Sequence, residues 1–136
     1  MRIAAIAALL LATLGCREVV APLEVGSVPA AVVTQQSGAW VVQVTNAAPH
    51  PWALASACAH DVERLEGGAW TVVRSRQDHV CFAAVLTVGS GETEVWPWGA
   101  PATDPGMYRL RFYWSYWSDA GNVHRDGYSG TFLVSE

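Results

Sequence analysis

Histidines beside aspartates are the feature of this sequence closest to a catalytic set. The histidines are His50, His60, His79 and His124. The last three lie within two residues of an aspartate. A serine triad also needs a nucleophile poised in a pocket, and the chain has no Gly-x-Ser-x-Gly elbow. A zinc site needs three or four convergent ligands, which no His-x-x-x-His or Cys–His spacing suggests. We therefore expect exposed loop histidines, no enzyme activity, no metal and no cofactor.

The first residues have the order of a secretory signal. Arg2 is followed by an apolar run over residues 3–14 and by Gly15 before a cysteine. A permanent transmembrane helix needs ~20 apolar residues, so this run is too short to be one. We therefore expect residues 1–15 to be a targeting segment outside the folded domain.

The end of this segment, ATLGC at residues 12–16, resembles the lipobox of bacterial lipoproteins. Gly15 and Cys16 match that motif, whereas Thr13 stands where leucine is usual. The resemblance implies cleavage before Cys16, a diacylglyceryl thioether on its sulfur and an acyl chain such as palmitate on its new amino group. Two or more such chains anchor a protein stably in a membrane. Arg17, in place of an aspartate, favours the periplasmic side of the outer membrane over the inner membrane. The alternative is an ordinary signal peptide with an unrelated cysteine.

Lipidation of Cys16 would leave Cys58 and Cys81 as an even pair. Export places them in an oxidising compartment, so we expect a disulfide between them. The loop-entropy treatment gives such a bridge roughly 3 kcal/mol. A metal or redox pair is the alternative, but the two residues are not in a Cys-x-x-Cys arrangement.

The charge balance argues against nucleic acid as a partner. The chain has eight basic residues, all arginine, against 12 acidic residues, and its formal net charge is −4. It has no basic block of the kind that nucleic acid requires. We expect contact with the membrane through Cys16, and an envelope protein or a glycan as a possible further partner.

Residues 31–136 have β-strand patterns throughout, after a tether over residues 16–30. Short apolar or alternating runs are separated by turn signals, and no stretch after residue 17 has a helical period with caps. The segments NAAPHPW (46–52) and SDAGNVHRDGYSG (118–130) are expected to be long loops. Seven or eight short antiparallel strands in this length predict an all-β sandwich.

The longest predicted strand is MYRLRFYWSYW at residues 107–117. Because side chains alternate across a strand, one of its faces is almost entirely apolar or aromatic. We expect this face to lie in the core, and it consists of Tyr108, Leu110, Phe112, Trp114 and Tyr116. The opposite face begins with two arginines.

The remaining aromatic residues are candidates for a contact surface. Exposed Trp, Tyr and Arg are enriched at interaction hot spots and at stacking platforms. The candidate contact patch consists of Trp96, Trp98, Arg109, Arg111, Tyr113, Trp117 and Tyr128. The alternative is that the 118–130 segment covers these side chains as part of the fold.

Several motifs, taken in order, resemble the immunoglobulin-like domains of small bacterial secreted lipoproteins. They are ERLEGGAWTVV (63–73), LTVGSGETEVW (86–96) and DPGMYRLRF (104–112), and the resemblance covers roughly residues 38–134. It implies an immunoglobulin-like β-sandwich and a tyrosine corner, in which the Tyr108 hydroxyl bonds to backbone a few residues upstream. Leu110 stands where antibody-type domains have a cysteine, so the usual inter-sheet disulfide is excluded and a Cys58–Cys81 bridge would be a different, family-specific one.

Together these features predict a membrane-anchored envelope lipoprotein whose immunoglobulin-like domain has a non-catalytic binding or structural role. The alternative function is that of a protease inhibitor with the same fold. In that case the loops at residues 46–52 and 118–130 would be presented at one end of the sandwich.

Overall fold

The chain folds into two antiparallel β-sheets that enclose one hydrophobic core. A computed structural model describes residues 27–54, 59–78, 85–99 and 104–136. The ten strands within them are β1 (Ala30–Gln36), β2 (Ala39–Thr45), β3 (Trp52–Leu54), β4 (His60–Glu66), β5 (Ala69–Arg74), β6 (Leu86–Val88), β7 (Thr93–Trp98), β8 (Gly106–Ser118), β9 (Gly121–Tyr128) and β10 (Phe132–Val134). The predicted all-β sandwich is therefore confirmed, with more strands than the expected seven or eight.

Strand β8 is the centre of the larger sheet. The small sheet has the order β1-β2-β7. In the large sheet the chain of pairings runs β5-β4-β8-β3-β6, and β9 and β10 also pair with β8. Strands β4 and β3 pair along one edge of β8. Strands β9 and β10 pair along its other edge. A side chain on β8 therefore has neighbours on both sides, which makes this strand the natural organiser of any site on the sheet.

The core lies between the sheets, on the face of β8 that the alternation predicted. Tyr108, Leu110, Phe112 and Trp114 are each at most 1% exposed. Tyr116, farther along the same face, is half-buried. Burying an aromatic or aliphatic side chain of this size contributes roughly 1.5–3 kcal/mol. This prediction of the core face is confirmed.

The Tyr108 hydroxyl makes the contact that defines a tyrosine corner. It donates a hydrogen bond to the backbone carbonyl oxygen of Asp104, four residues upstream, at 2.7 Å. Gly106 leaves room for this arrangement, because a Cβ there would lie 2.9 Å from the Arg64 Nε. Arg64 in turn donates from Nη2 to the carbonyl oxygen of Pro105 at 3.0 Å. Two hydrogen bonds from side chains to backbone carbonyl oxygens therefore hold the start of β8 in place.

The prediction of a long loop over residues 118–130 is wrong. Strand β9 pairs with β8 in an unbroken register from Ser118↔Gly121 to Arg111↔Tyr128. Gly121 has a φ of 113°, which a glycine adopts at low cost where the hairpin reverses. Most residues of β9 are exposed or half-buried, so the strand has no apolar alternation by which the sequence could reveal it.

Several predictions concern residues that lie outside the described ranges. These are the signal peptide over residues 1–15, the lipid attachment at Cys16, most of the tether, the Cys58–Cys81 disulfide and the loop residue His79. Among the described residues, no helix is long and apolar enough to cross a membrane.

Candidate functional site

Arginine and aromatic side chains alternate on the outward face of the large sheet. Strand β8 carries arginines at alternate positions, and the register places carboxylates of β4 directly opposite them. Residues of β5 and β9 flank this pair of strands on the same face. We call this outward face of the large sheet the ladder face. Its centre consists of Trp70, Arg76, Arg109, Arg111, Tyr113 and Tyr128 with the carboxylates Asp61, Glu63 and Asp126.

Arg109 lies between two aromatic rings. Its guanidinium carbon is 4.4 Å from the Trp70 ring centroid and 4.1 Å from the Tyr128 ring centroid. Its Nε donates to Oε2 of Glu63 at 2.6 Å, and Glu63 is only 5% exposed. Each cation–π contact of this kind contributes about 0.5–2 kcal/mol. Arg109 is therefore held in one orientation by two stacking contacts and one charge-assisted hydrogen bond.

Arg111 occupies the next outward position of β8. Its Nη2 donates to Oδ2 of Asp126 on β9, and its guanidinium carbon lies 5.3 Å from the Tyr113 ring centroid. The hydrogen bond to Asp126 raises the pKa of Arg111 above its usual value. The buried Nε of Arg111 has no hydrogen-bond partner among the described residues. Arg111 therefore remains charged, and its Nη2 is held by Asp126.

Tyr113, Asp61 and Arg76 form a closed set of contacts at one end of the ladder face. The Tyr113 hydroxyl donates to Oδ2 of the buried Asp61. The backbone N–H of Arg76 donates to the other carboxylate oxygen, Oδ1, at 2.8 Å. The Arg76 guanidinium carbon then lies 3.4 Å from the Tyr113 ring centroid. Asp61 thereby ties the short 3-10 turn Arg76–Asp78 to the sheet.

Tyr113 should make the stability of the protein fall at alkaline pH. Burial, and then the hydrogen bond to Asp61, raises the pKa of Tyr113 above the ordinary tyrosine value of 10.0. The folded protein therefore holds this proton at a pH where the unfolded chain has lost it. The stabilisation is complete below pH ~10 and is lost as the pH rises through the folded-state pKa. We expect the free energy of unfolding to fall more steeply above pH ~10 in the wild type than in Tyr113→Phe. Identical slopes in urea titrations would contradict this assignment.

The structure divides the predicted contact patch between two faces. Arg109, Arg111, Tyr113 and Tyr128 lie together on the ladder face. Trp117 lies farther along the same face of β8 and is 80% exposed. These five residues are the part of the predicted patch that the fold brings to one surface.

Trp96 and Trp98 lie on the other sheet and face the core. Trp96 pairs with the fully buried Val42, and Trp98 pairs with Trp40, so both point inward from β7. Both pack against the core cluster as half-buried side chains. Their inclusion in the surface patch is wrong. Their alternate positions showed that they share one face of β7, but not which face of β7 is buried.

The ladder face also includes residues that the sequence did not bring into the patch. Asp61 and Glu63 occupy alternate positions of β4, directly opposite the two arginines of β8. That alternation was a usable signal for charge pairing. Trp70 and Arg76 gave no such signal, because their positions depend on how the β4–β5 hairpin and the turn after it fold back.

The ladder face is also where the described residues expose much of their large apolar surface. Six of their ten exposed large hydrophobic side chains share this face by register. They are Leu65, Val72, Met107, Trp117, Tyr128 and Leu133. Soluble monomers rarely leave large apolar patches uncovered unless the patch contacts a partner. The face therefore offers stacking rings, fixed guanidinium donors and apolar area, which together suit recognition.

The three described histidines differ from the expectation of exposed loop positions, His124 because it lies in strand β9. His60 is 6% exposed in β4, with its ring 5.6 Å from those of Phe112 and Trp98. His50 is half-buried and stacks on Tyr116 at 3.9 Å. Within the described ranges, no group of three or more His, Cys, Asp and Glu side chains could hold a metal ion.

Comparison of the chain with protein-family models, with curated proteins and with solved structures found no match.

Proposed function

We propose that this protein is a lipid-anchored component of a bacterial cell envelope whose immunoglobulin-like domain binds an envelope protein or glycan through the ladder face. The observation that carries the proposal is the environment of Arg109, which is fixed between Trp70 and Tyr128 on an exposed face. Trp, Tyr and Arg dominate binding hot spots. Side chains already ordered before binding lose less entropy when a partner arrives.

The immunoglobulin-like assignment has two supports beyond the sequence motifs. The first is the two-sheet arrangement with β8 at the centre of the larger sheet. The second is the hydrogen bond from Tyr108 to the carbonyl oxygen of Asp104 at the start of that strand. Such a corner occurs at the start of the second-last strand in immunoglobulin domains, whereas here two strands, β9 and β10, follow β8.

The lipid anchor at Cys16 and the Cys58–Cys81 disulfide complete the proposal. Both follow from the exported character of the sequence, and the outer membrane is favoured by Arg17. Mass spectrometry of the mature N-terminal peptide from host cells tests the anchor. We expect a diacylglyceryl group and an amide-linked acyl chain on Cys16, and no lipid in Cys16→Ser. An unmodified Cys16 would remove the anchor from the proposal.

Site-specific cross-linking in host cells tests the binding face. A photo-reactive amino acid at Asn122 would sit on the ladder-face side of β9, opposite Trp117, without removing Trp117. The matched control position is Val32, which is 50% exposed on the small sheet. We expect a discrete cross-linked partner from position 122 and not from position 32. Equal labelling from both positions, or none from either, would contradict the proposal.

A protease inhibitor is the second candidate function, and one loop favours it. The segment 46–51 is held rigid by the fully buried Asn46, and inhibitory loops gain from such pre-organisation. The other segment predicted as an inhibitory loop, residues 118–130, forms the β8–β9 hairpin instead. Titration of a protease panel with the purified protein is the test, and a panel without inhibition would remove this candidate.

A further inference from the structure

A cleft opens at the Arg76 end of the ladder face. It lies between the turn Arg76–Asp78 and the β8–β9 hairpin and has a volume of about 500 Å³. It is lined by Arg76, Tyr113, Trp114, His124, Arg125 and Asp126. This volume is in the range of small-molecule sites and is far larger than a bare inorganic ion requires.

The cleft contains one arginine side chain that forms no ion pair within the described residues. The ion pairs in this part of the chain use Arg64, Arg109 and Arg111. Arg76 forms none. Arg125 pairs with the core-facing Trp114, so its side chain leaves β9 on the opposite face from Tyr113 and Asp126 and adds no charge to the cleft. The carboxylate in the cleft, Asp126, is already bonded to an arginine outside it. In a chain with a net charge of −4, a guanidinium group without an ion pair in a cleft is a local exception.

Arg76 is positioned for binding before any ligand arrives. Asp61 is 6% exposed and uses one oxygen for the Arg76 backbone N–H and the other for the Tyr113 hydroxyl. The Arg76 guanidinium carbon lies 3.4 Å from the Tyr113 ring centroid, which is a stacking distance. Stacking orients the plane of a guanidinium, and its N–H groups at the edge remain free for bidentate hydrogen bonds.

We infer that this cleft binds an oxyanion group, a phosphate or a carboxylate, carried on a larger organic molecule. Guanidinium groups bind both of these oxyanions through paired N–H donors. Arg76 supplies the charge, and Tyr113 supplies an aromatic wall for the body of the molecule. The inference rests on the proposed function and deepens it, because it specifies an anionic group as the feature of the partner that is recognised.

Calorimetric titration of the full chain in detergent at low ionic strength tests the inference. The probes are glucose 6-phosphate, glucuronate and glucose, which share a sugar body and differ in their charged group. We expect at least one of the anionic sugars to bind ten times or more tightly than glucose. The comparison of the two anions identifies whether phosphate or carboxylate is preferred. Equal binding of all three, or no binding of any, would overturn the inference.

Variants locate the bound anion. Arg76→Gln should weaken binding of the preferred anion at least tenfold, whereas Arg125→Gln, on the opposite face of β9, should retain it. Arg76→Gln keeps the backbone bond to Asp61, and thermal unfolding of each variant verifies the fold. Arg64→Gln is the matched control, because Arg64 lies outside the cleft and is paired with Glu66. An equal loss in the control variant would overturn the assignment to the cleft.

The outcome is separable from that of the proposed function. Loss of anion binding with a persistent ladder-face cross-link would refute only the role of the cleft. Anion binding without any cross-link from position 122 would refute the ladder face as the partner surface and leave the cleft as a site of its own.

Discussion

Replacing Asn46 with alanine should destabilise the protein by about 3 kcal/mol, because several buried hydrogen bonds are lost together. Asn46 is 0% exposed. Its Nδ2 donates to the carbonyl oxygens of His50 and Val88, each at 2.9 Å, and to that of Gly89 at 3.1 Å. Its Oδ1 accepts from the backbone N–H of Ala48 at 2.9 Å. One side chain thus joins the loop after β2 to the turn between β6 and β7.

The substitution isolates the side chain from the backbone. The Asn46 backbone N–H donates to the carbonyl oxygen of Glu92, and its carbonyl oxygen accepts from Gly91, and neither bond needs the amide side chain. The matched control is Asn122→Ala, since Asn122 is exposed on β9. Urea unfolding should show a loss within about 0.5 kcal/mol for that control. Equal losses in the two variants would show that Asn46 does not hold the loop.

Replacing Glu63 with alanine should cost about 2 kcal/mol, since it leaves Arg109 charged, partly buried and without its carboxylate. The Glu63 side chain is 7% exposed and that of Arg109 is 23% exposed, so some solvent screening of the arginine remains. For this reason the expected cost is below the 3–5 kcal/mol typical of fully buried pairs.

A double-mutant cycle separates the ion pair from simple packing. Adding Arg109→Met to Glu63→Ala should recover part of the lost stability, because methionine needs no counter-ion between the two rings. The matched control is Glu66→Ala. The Glu66 side chain is 48% exposed, and its Oε1 lies 3.6 Å from Nη1 of Arg64. Strictly additive losses in the cycle would indicate that Glu63 and Arg109 are not coupled.

The sequence is sufficient to predict the fold class and the core face of β8. The strict alternation from Tyr108 to Trp114 has a period of two, and this period decides which side chains face the core. The conformation of residues 118–130 could not be predicted in this way. They lie in a hairpin whose second strand has few buried positions, so hydrophobicity does not mark it.

The ladder face could be predicted only in part. The alternate arginines of β8 indicated an outward polar face, and this much followed from one strand. The pairing of Arg109 with Trp70 and of Tyr113 with Arg76 depends on which strands become neighbours and on one turn. Such contacts join distant parts of the chain, and no local pattern encodes them.

The most direct test of the central claim uses the Trp117→Ala variant. It measures how much of the cross-linked partner this variant recovers, together with the thermal unfolding of the variant. Trp117 is 80% exposed, so its loss should leave the unfolding midpoint close to that of the wild type. If the ladder face binds the partner, recovery should fall several-fold, whereas the Val32→Ala control on the small sheet should recover as much as the wild type. Unchanged recovery by a folded Trp117→Ala protein would contradict the claim. So would a variant that fails to fold, because Trp117 would then be a structural residue.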